Sequence, residues 1–242
     1  MPTDLPIAGR RPYYHAHGVT LYQADCRDVL AELADASIDF VFTDPPYGAD
    51  QNTGDLNAAL GKRAGKKRRA IANDSSDAAD SLVRHLFAAS RRLLKPGHCL
   101  ACCCHGSGGK DLKYAKWSVW LEAVLDFKAA IVWDKGPMGL GWHYRRSYEL
   151  VLVAKKPGAA CQWHDTTKRV ENVIRPGQYG IRKVPGRVRK HPTQKPPELA
   201  AHFLRLHTQP GGLVLDPFAG GGATLAAAVA TGRRAIGVEL ER

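Results

Sequence analysis

The feature that most constrains this 242-residue chain is an alternation of short apolar runs with helical patterns. Runs of strand length fall at 19–23, 38–43, 98–104, 129–133, 148–154, 212–215 and 235–238, and helical periodicity falls at 27–33, 77–94, 113–125, 197–207 and 223–231. Parallel strands need a crossover between them, and a helix is the usual one. The alternation therefore predicts a doubly wound, mostly parallel α/β sheet of seven strands. Ser37, Asp77 and Thr193 read as turn or cap residues, and the breaks at 95–97 and 209–212 as loops before strands. Residues 155–191 lack sustained periodicity and are rich in Gly, Pro and Arg, so they read as an inserted recognition segment or a long surface loop within a single domain, 1–242.

No run of 18 or more apolar residues exists, and residues 1–11 lack the apolar stretch of a signal peptide, which predicts a cytoplasmic protein with no membrane partner. Lys plus Arg number 35 against 23 acids. Residues 62–69 hold six basic residues and no acid, and residues 168–195 hold nine with Glu171 alone opposing them, leaving the remainder close to neutral. Such clustering is the electrostatic footprint expected for a polyanion such as nucleic acid. The candidates for contact with such a polyanion are Lys62, Arg63, Lys66, Lys67, Arg68 and Arg69 in the first window and Arg182, Lys183, Arg187, Arg189 and Lys190 in the second. Residues 49–76 form a basic loop expected to be mobile without its polyanion, because its Gly and Lys content gives it little apolar surface to bury.

Six cysteines invite a metal reading, most of all Cys99, Cys102, Cys103 and Cys104 beside His105. The run is apolar and of strand length, so its side chains alternate between two faces and do not converge on a tetrahedral centre. No metal is expected, and without a secretory signal no disulfide either.

At the carboxyl end of run 38–43 the chain reads Thr43-Asp44-Pro45-Pro46-Tyr47-Gly48. Open parallel sheets bind ligands at this end of their strands. Two prolines fix φ and remove two donors, leaving a stiff turn that presents a carboxylate, bare carbonyl oxygens and an aromatic ring. Tyr47 can stack on a base while Asp44 and the Pro45 carbonyl accept hydrogen bonds from its exocyclic amine. A second loop, Asp216-Pro-Phe218-Ala219-Gly220-Gly-Gly222, joins a strand to a helix, and Glu239 ends the next strand. Glycines admit a ligand close to the backbone, a helix N-terminus favours an anion, and a terminal acid can take ribose hydroxyls. The third glycine position of a dinucleotide fingerprint is occupied by Leu225, so a nicotinamide site is not indicated.

Asp44-Pro-Pro-Tyr47, His191-Pro-Thr-Gln-Lys-Pro196, Asp216-Pro-Phe-Ala-Gly220 and Gly237-Val-Glu239, in this order, resemble the β class of DNA amino methyltransferases over residues 21–239. The resemblance implies a circularly permuted seven-stranded methyltransferase sheet in which runs 212–215, 235–238, 19–23 and 38–43 are the first to fourth strands. It implies S-adenosyl-L-methionine as cofactor. The methionine end would lie against Phe218, Ala219 and Gly220, with Thr193 and Lys195 near its carboxylate, and Asp44, Gln194 and Asp216 would also belong to the cofactor site. The ribose would lie on Glu239 and the adenine against Asp25 and Cys26. Arg145, Tyr148 and Glu149 would support the target pocket.

The implied reaction is site-specific transfer of a methyl group to the 6-amino nitrogen of adenine in double-stranded DNA, by base flipping and direct in-line transfer, with Asp44, Pro45, Pro46 and Tyr47 as catalytic residues. The same chemistry on the 4-amino group of cytosine stays open, as do methylation of RNA or protein and a catalytically idle nucleic-acid-binding module. Relatives usually continue past the Glu239 position into another helix, whereas this chain stops at Arg242. A homodimer, common in the class, is expected.

Overall fold

The computed structural model describes residues 10–48, 75–105, 112–136, 143–144, 146–181 and 195–240. Nine strands among them form one sheet: β1 (Tyr14–Ala16), β2 (Val19–Gln23), β3 (Ile38–Thr43), β4 (Leu94–Cys104), β5 (Asp126–Asp134), β6 (Tyr148–Lys155), β7 (Val173–Ile174), β8 (Leu213–Asp216) and β9 (Arg234–Glu239). Their order is β1-β2-β9-β8-β3-β4-β6-β5-β7. From β2 to β4 every pairing is parallel, whereas β6 runs antiparallel to both β4 and β5.

The four runs expected to be first to fourth, β8, β9, β2 and β3, lie together, with β8 between β9 and β3 and β2 beyond β9. The expected count of seven is corrected to nine. The two additional strands are edge strands of three and two residues, too short to carry a periodicity of their own: β1 pairs antiparallel with β2, and β7 pairs parallel with β5 through Val132↔Val173 and Trp133↔Ile174. That second pairing gives residues 155–181, which read as irregular, one anchor on the sheet.

Helices α1 (Cys26–Glu32), α2 (Ser76–Leu93), α3 (Lys113–Glu122), α4 (Pro197–His207) and α5 (Ala223–Ala230) cover the two faces. Helix α2 shows why such a segment folds. Leu82, Val83, Leu86, Phe87, Ser90 and Leu93 recur at helical spacing and are buried, the Ser75 hydroxyl accepts from Ala78 N, and Arg91 and Arg92 occupy the last turn. One core layer packs α1, α2 and α3 on the sheet through Val29, Leu30, Leu86, Phe87 and Trp117; the other packs α4 and α5 through Leu199, Phe203, Leu225 and Ala228. The cysteine run on β4 divides as its period of two requires, Cys102 and Cys104 entering the first layer and Cys99 and Cys103 the second.

One consequence of this topology builds the site. The carboxyl ends of β2, β9, β8, β3 and β4 share one rim of the sheet, and the antiparallel β6 starts there, since Cys104 pairs with Leu150 and Trp133 with Glu149. Gly237 lets β9 lie close under α5, where a Cβ would come within 2.8 Å of Leu225.

Candidate active site at the carboxyl rim of the sheet

Thr43 ends β3 and Asp216 ends β8, and the two meet: the Thr43 hydroxyl donates to Asp216 Oδ1 at 2.8 Å, and Phe218 N donates to the same oxygen at 3.1 Å. Asp216 is buried, and burial pushes its carboxyl up to about 6 against the pull of hydrogen bonds from Thr224, Thr43 and Phe218 N. An acid raised in this way weakens the fold where it must ionise. The free protein should therefore gain stability as pH falls from 7.5 through 6 toward the ordinary carboxyl value, and Asp216→Asn should flatten the curve there. Urea unfolding of both proteins between pH 5 and 7.5 measures the difference, expected to be about 1.4 kcal/mol.

The glycine turn follows. Ala219 N donates to Val238 O at 2.9 Å, and Gly220 N donates to Glu239 Oε2 at 2.6 Å, so the acid that ends β9 already faces the turn. On the far side Ala24 N donates to Glu239 O, and Asp25 caps α1 by accepting from Arg27 N at 2.9 Å. The Arg27 guanidinium on Asp25 lowers that carboxyl, while burial pushes the neighbouring Cys26 thiol up to about 12. Asp25, Cys26, Phe218, Ala219, Gly220 and Glu239 thus line neighbouring ends of β2, β8 and β9 along one stretch of rim. Backbone donors of the turn and the start of α5, with Glu239 and Asp25 opposite, form a donor set suited to a zwitterionic nucleoside.

Beside it stands the turn after β3. Gly48, at φ +65° with space for no side chain against Ser76, brings Asp44–Tyr47 close to the start of α2. The Tyr47 hydroxyl donates to Asp44 Oδ1 and accepts from Lys195 Nζ at 3.1 Å. Lys195 Nζ also lies 2.8 Å from Asp44 Oδ2 and 3.0 Å from Glu149 Oε2, and Lys135 Nζ lies 2.9 Å from Glu149 Oε1. A chain of alternating charge, Lys135–Glu149–Lys195–Asp44, therefore ends on the turn.

Burial disfavours the Lys195 charge, but the two carboxylates outweigh it and hold the ammonium firmly protonated. Burial would raise Glu149, yet Lys195 and Lys135 hold it down at about 2. Asp44 is raised by burial, a rise that Lys195 opposes, and its side chain keeps 24% of its surface open. Burial and the neighbouring carboxylates keep the Tyr47 hydroxyl protonated, so it remains a donor.

Lys195, which the resemblance implies near the cofactor carboxylate, lies against three protein groups in the structure. Its ammonium donates to Tyr47 and forms ion pairs with Asp44 and Glu149. Glu149, expected to support the target pocket, lies 3.0 Å from this lysine. The sequence reading missed Lys135 and His105. The His105 ring, at the end of β4, sits 4.1 Å from the Tyr47 ring, and burial lowers it to about 4, which keeps it neutral. Its place directly after a strand of the rim was the available signal. Lys135 carried none, because its partner is set by the β5–β6 register.

Thr193 and Gln194, Arg145, and the DNA-contact candidates Lys62, Arg63, Lys66, Lys67, Arg68, Arg69, Arg182, Lys183, Arg187, Arg189 and Lys190 lie outside the described residues. Of the expected loop 49–76, Ser75 and Ser76 are described, as the cap and first residue of α2. Among the described residues no group of three or more His, Cys, Asp or Glu is placed to hold a metal ion, and no helix is long and apolar enough to cross a membrane.

Comparison with known proteins agrees with this geometry. The family model described as DNA methylase matches residues 38–242. The chain is 26% identical over 248 residues to the DNA adenine methyltransferase YhdJ of Escherichia coli (strain K12), across 91% of this chain and 78% of that protein. It is similar to the structure of TTHA0409, a DNA modification methylase of Thermus thermophilus, complexed with S-adenosyl-L-methionine, with 27% identity, a TM-score of 0.60 and coverage of 91% and 89%. It also shares its fold with the cytosine-N4-specific PvuII DNA methyltransferase, at 17% identity, a TM-score of 0.74 and coverage of 96% and 86%.

Proposed function

This chain belongs to the DNA methylase family, and from that premise we propose that it methylates the 6-amino nitrogen of adenine in duplex DNA. The observation that carries the reading is the pairing of Asp44 with Lys195 and Tyr47 on a proline-stiffened turn, at the rim where the Asp216–Gly222 turn and Glu239 also converge. S-adenosyl-L-methionine supplies the electrophilic methyl group, and the rim fits it: backbone donors at the glycine turn and α5, carboxylates at Glu239 and Asp25, and an acidic surround for a sulfonium.

The amine of adenine is a weak nucleophile because its lone pair is delocalised into the ring. Asp44 and the Pro45 carbonyl accept its two hydrogens, which draws the nitrogen toward tetrahedral geometry and stabilises the positive charge that develops there. Pro46 keeps the turn stiff, and Tyr47 offers its ring to the base while its hydroxyl and Lys195 fix the Asp44 carboxylate. Because that amine is paired inside a duplex, the base leaves the stack, at a few kcal/mol offset by stacking and backbone contacts.

Incubation with labelled S-adenosyl-L-methionine and plasmid DNA, followed by digestion to nucleosides and mass spectrometry, tests this. N6-methyldeoxyadenosine is expected. N4-methyldeoxycytidine in its place would assign the same machinery to cytosine, the reading that the fold shared with the PvuII enzyme keeps in view; no methylated nucleoside would overturn the activity.

Binding to DNA belongs to the same reading, through the basic windows 62–69 and 168–195. Each phosphate neutralised contributes about −0.9 to the slope of log affinity against log salt. Replacing Lys66, Lys67, Arg68 and Arg69 with glutamine should flatten that slope by about 2 or more, as read from fluorescence anisotropy between 50 and 200 mM salt. An unchanged slope would remove this window from the interface. Assembly as a homodimer completes the proposal and is tested by sedimentation.

A further inference from the structure

Of the six cysteines, five are buried and Cys161 is exposed. Its sulfur lies 3.6 Å from that of Cys99, which is 1% exposed at the middle of β4. The segments carrying the two residues are tied by backbone bonds on either side of Cys161 and just before Cys99: Gly97 N to Lys156 O at 3.0 Å, Lys156 N to His98 O at 2.8 Å, and Gln162 N to Gly97 O at 3.0 Å. Lys156 Nζ reinforces them by donating to Leu94 O at 2.6 Å. Neither sulfur therefore depends on a free loop to reach the other. Cys26, Cys102, Cys103 and Cys104 are buried in the core and closed to a solvent oxidant.

We propose that Cys99 and Cys161 form an oxidative modification site, closed to a disulfide by a peroxide. The exposed Cys161 reacts first: its thiolate attacks one peroxide oxygen, the O–O bond breaks, and a sulfenic acid forms with release of hydroxide, which takes up the thiol proton as water. The Cys99 sulfur then attacks the Cys161 sulfur, the S–O bond breaks, and the departing hydroxyl carries off the Cys99 proton as a second water. Two thiols are oxidised by two electrons and one peroxide is reduced to two waters. Burial pushes the Cys99 thiol up, so this residue is a poor first target, and its proximity is what makes it the resolving partner.

The bond would fasten the root of segment 155–191 to β4. It stands five residues, roughly 16 Å along the strand, from the end of β4 beside the Asp44 turn. It is thus independent of the methyl-transfer reading.

The test treats the whole protein with stoichiometric hydrogen peroxide, traps free thiols, and maps tryptic peptides by mass spectrometry. The expected result is one Cys99–Cys161 peptide pair with a loss of about 2 Da, reversed by dithiothreitol, and a melting temperature about 5 °C higher in the oxidised form. Cys161→Ser, on the surface, should abolish both the pair and the rise, and Cys99→Ala should leave Cys161 at the sulfenic or sulfinic stage. Over-oxidation of Cys161 in the native sequence without the crosslink, or disulfides only between chains, would overturn the proposal.

Discussion

Asp44→Ala is expected to lower the rate of methyl transfer by at least ~100- to 1000-fold while leaving S-adenosyl-L-methionine affinity within a few fold, because what is lost is a charged acceptor aimed at the developing positive charge. The residues that fit the cofactor, Glu239 at Gly220 N and the turn after Asp216, belong to β8, β9 and α5 and do not depend on the Asp44 side chain. Asn at this position keeps the shape but loses the charge-assisted bond, leaving roughly half the strength of the original, so Asp44→Asn should fall between wild type and alanine.

The pH profile carries a second signature. Burial raises the Asp44 carboxyl, so the acid limb of kcat should lie above the range of an ordinary carboxylate, with activity lost as the pH falls through that raised value. Isothermal calorimetry and single-turnover kinetics on the variants decide the matter. A collapse of cofactor affinity together with the rate would remove Asp44 from the role of acceptor.

The parts of this site that could be read from the sequence are those that are contiguous in it. Asp44–Tyr47 and Asp216–Gly222 each compress a strand end, a turn and a functional group into a few residues, and their placement at strand ends follows from the alternation of runs. The permuted order of β8, β9, β2 and β3 came from the family that these motifs resemble.

What could not be read is what the antiparallel end of the sheet assembles. Lys135 and Glu149 meet because β5 and β6 pair with Trp133 opposite Glu149, and Lys195 reaches Glu149 from just before α4, far from either strand in sequence. No local pattern encodes a charge chain that draws on four separate stretches, the ends of β3 and β5, the start of β6 and the approach to α4. Edge strands β1 and β7 escaped for a different reason: three and two residues give no period, and their pairing is fixed by the neighbouring strand.

That charge chain makes Lys195 the residue whose loss should be felt in both folding and chemistry. Its side chain is 8% exposed and lies against Asp44 and Glu149, themselves 24% and 12% exposed. Lys195→Met fills similar volume but leaves two carboxylates with Lys135 as their remaining cation in the chain, and removing one partner of a buried pair costs about 3–5 kcal/mol. The sign with pH follows from the groups. In the native protein Glu149 is held at about 2, below its ordinary value, so it contributes stability that is present above the ordinary carboxyl range and lost only as pH falls toward 2. Without Lys195, burial acts on Glu149 and Asp44 with far less opposition and raises both. The variant should therefore be weakest at pH 8 and regain stability toward pH 5, where the native protein gains nothing from Glu149. Adding Glu149→Gln should restore part of the stability, because it removes one of the stranded charges, but not the rate, because Asp44 and Tyr47 still lack the ammonium that fixes them. Arginine is no substitute: a planar fork does not converge on three oxygens as an ammonium does. Urea unfolding at pH 5 and 8, with kcat and cofactor affinity measured separately, tests each step. Lys195→Met with native stability at pH 8 would show that the carboxylates find other partners, and a selective loss of cofactor affinity at unchanged kcat would return Lys195 to the cofactor carboxylate.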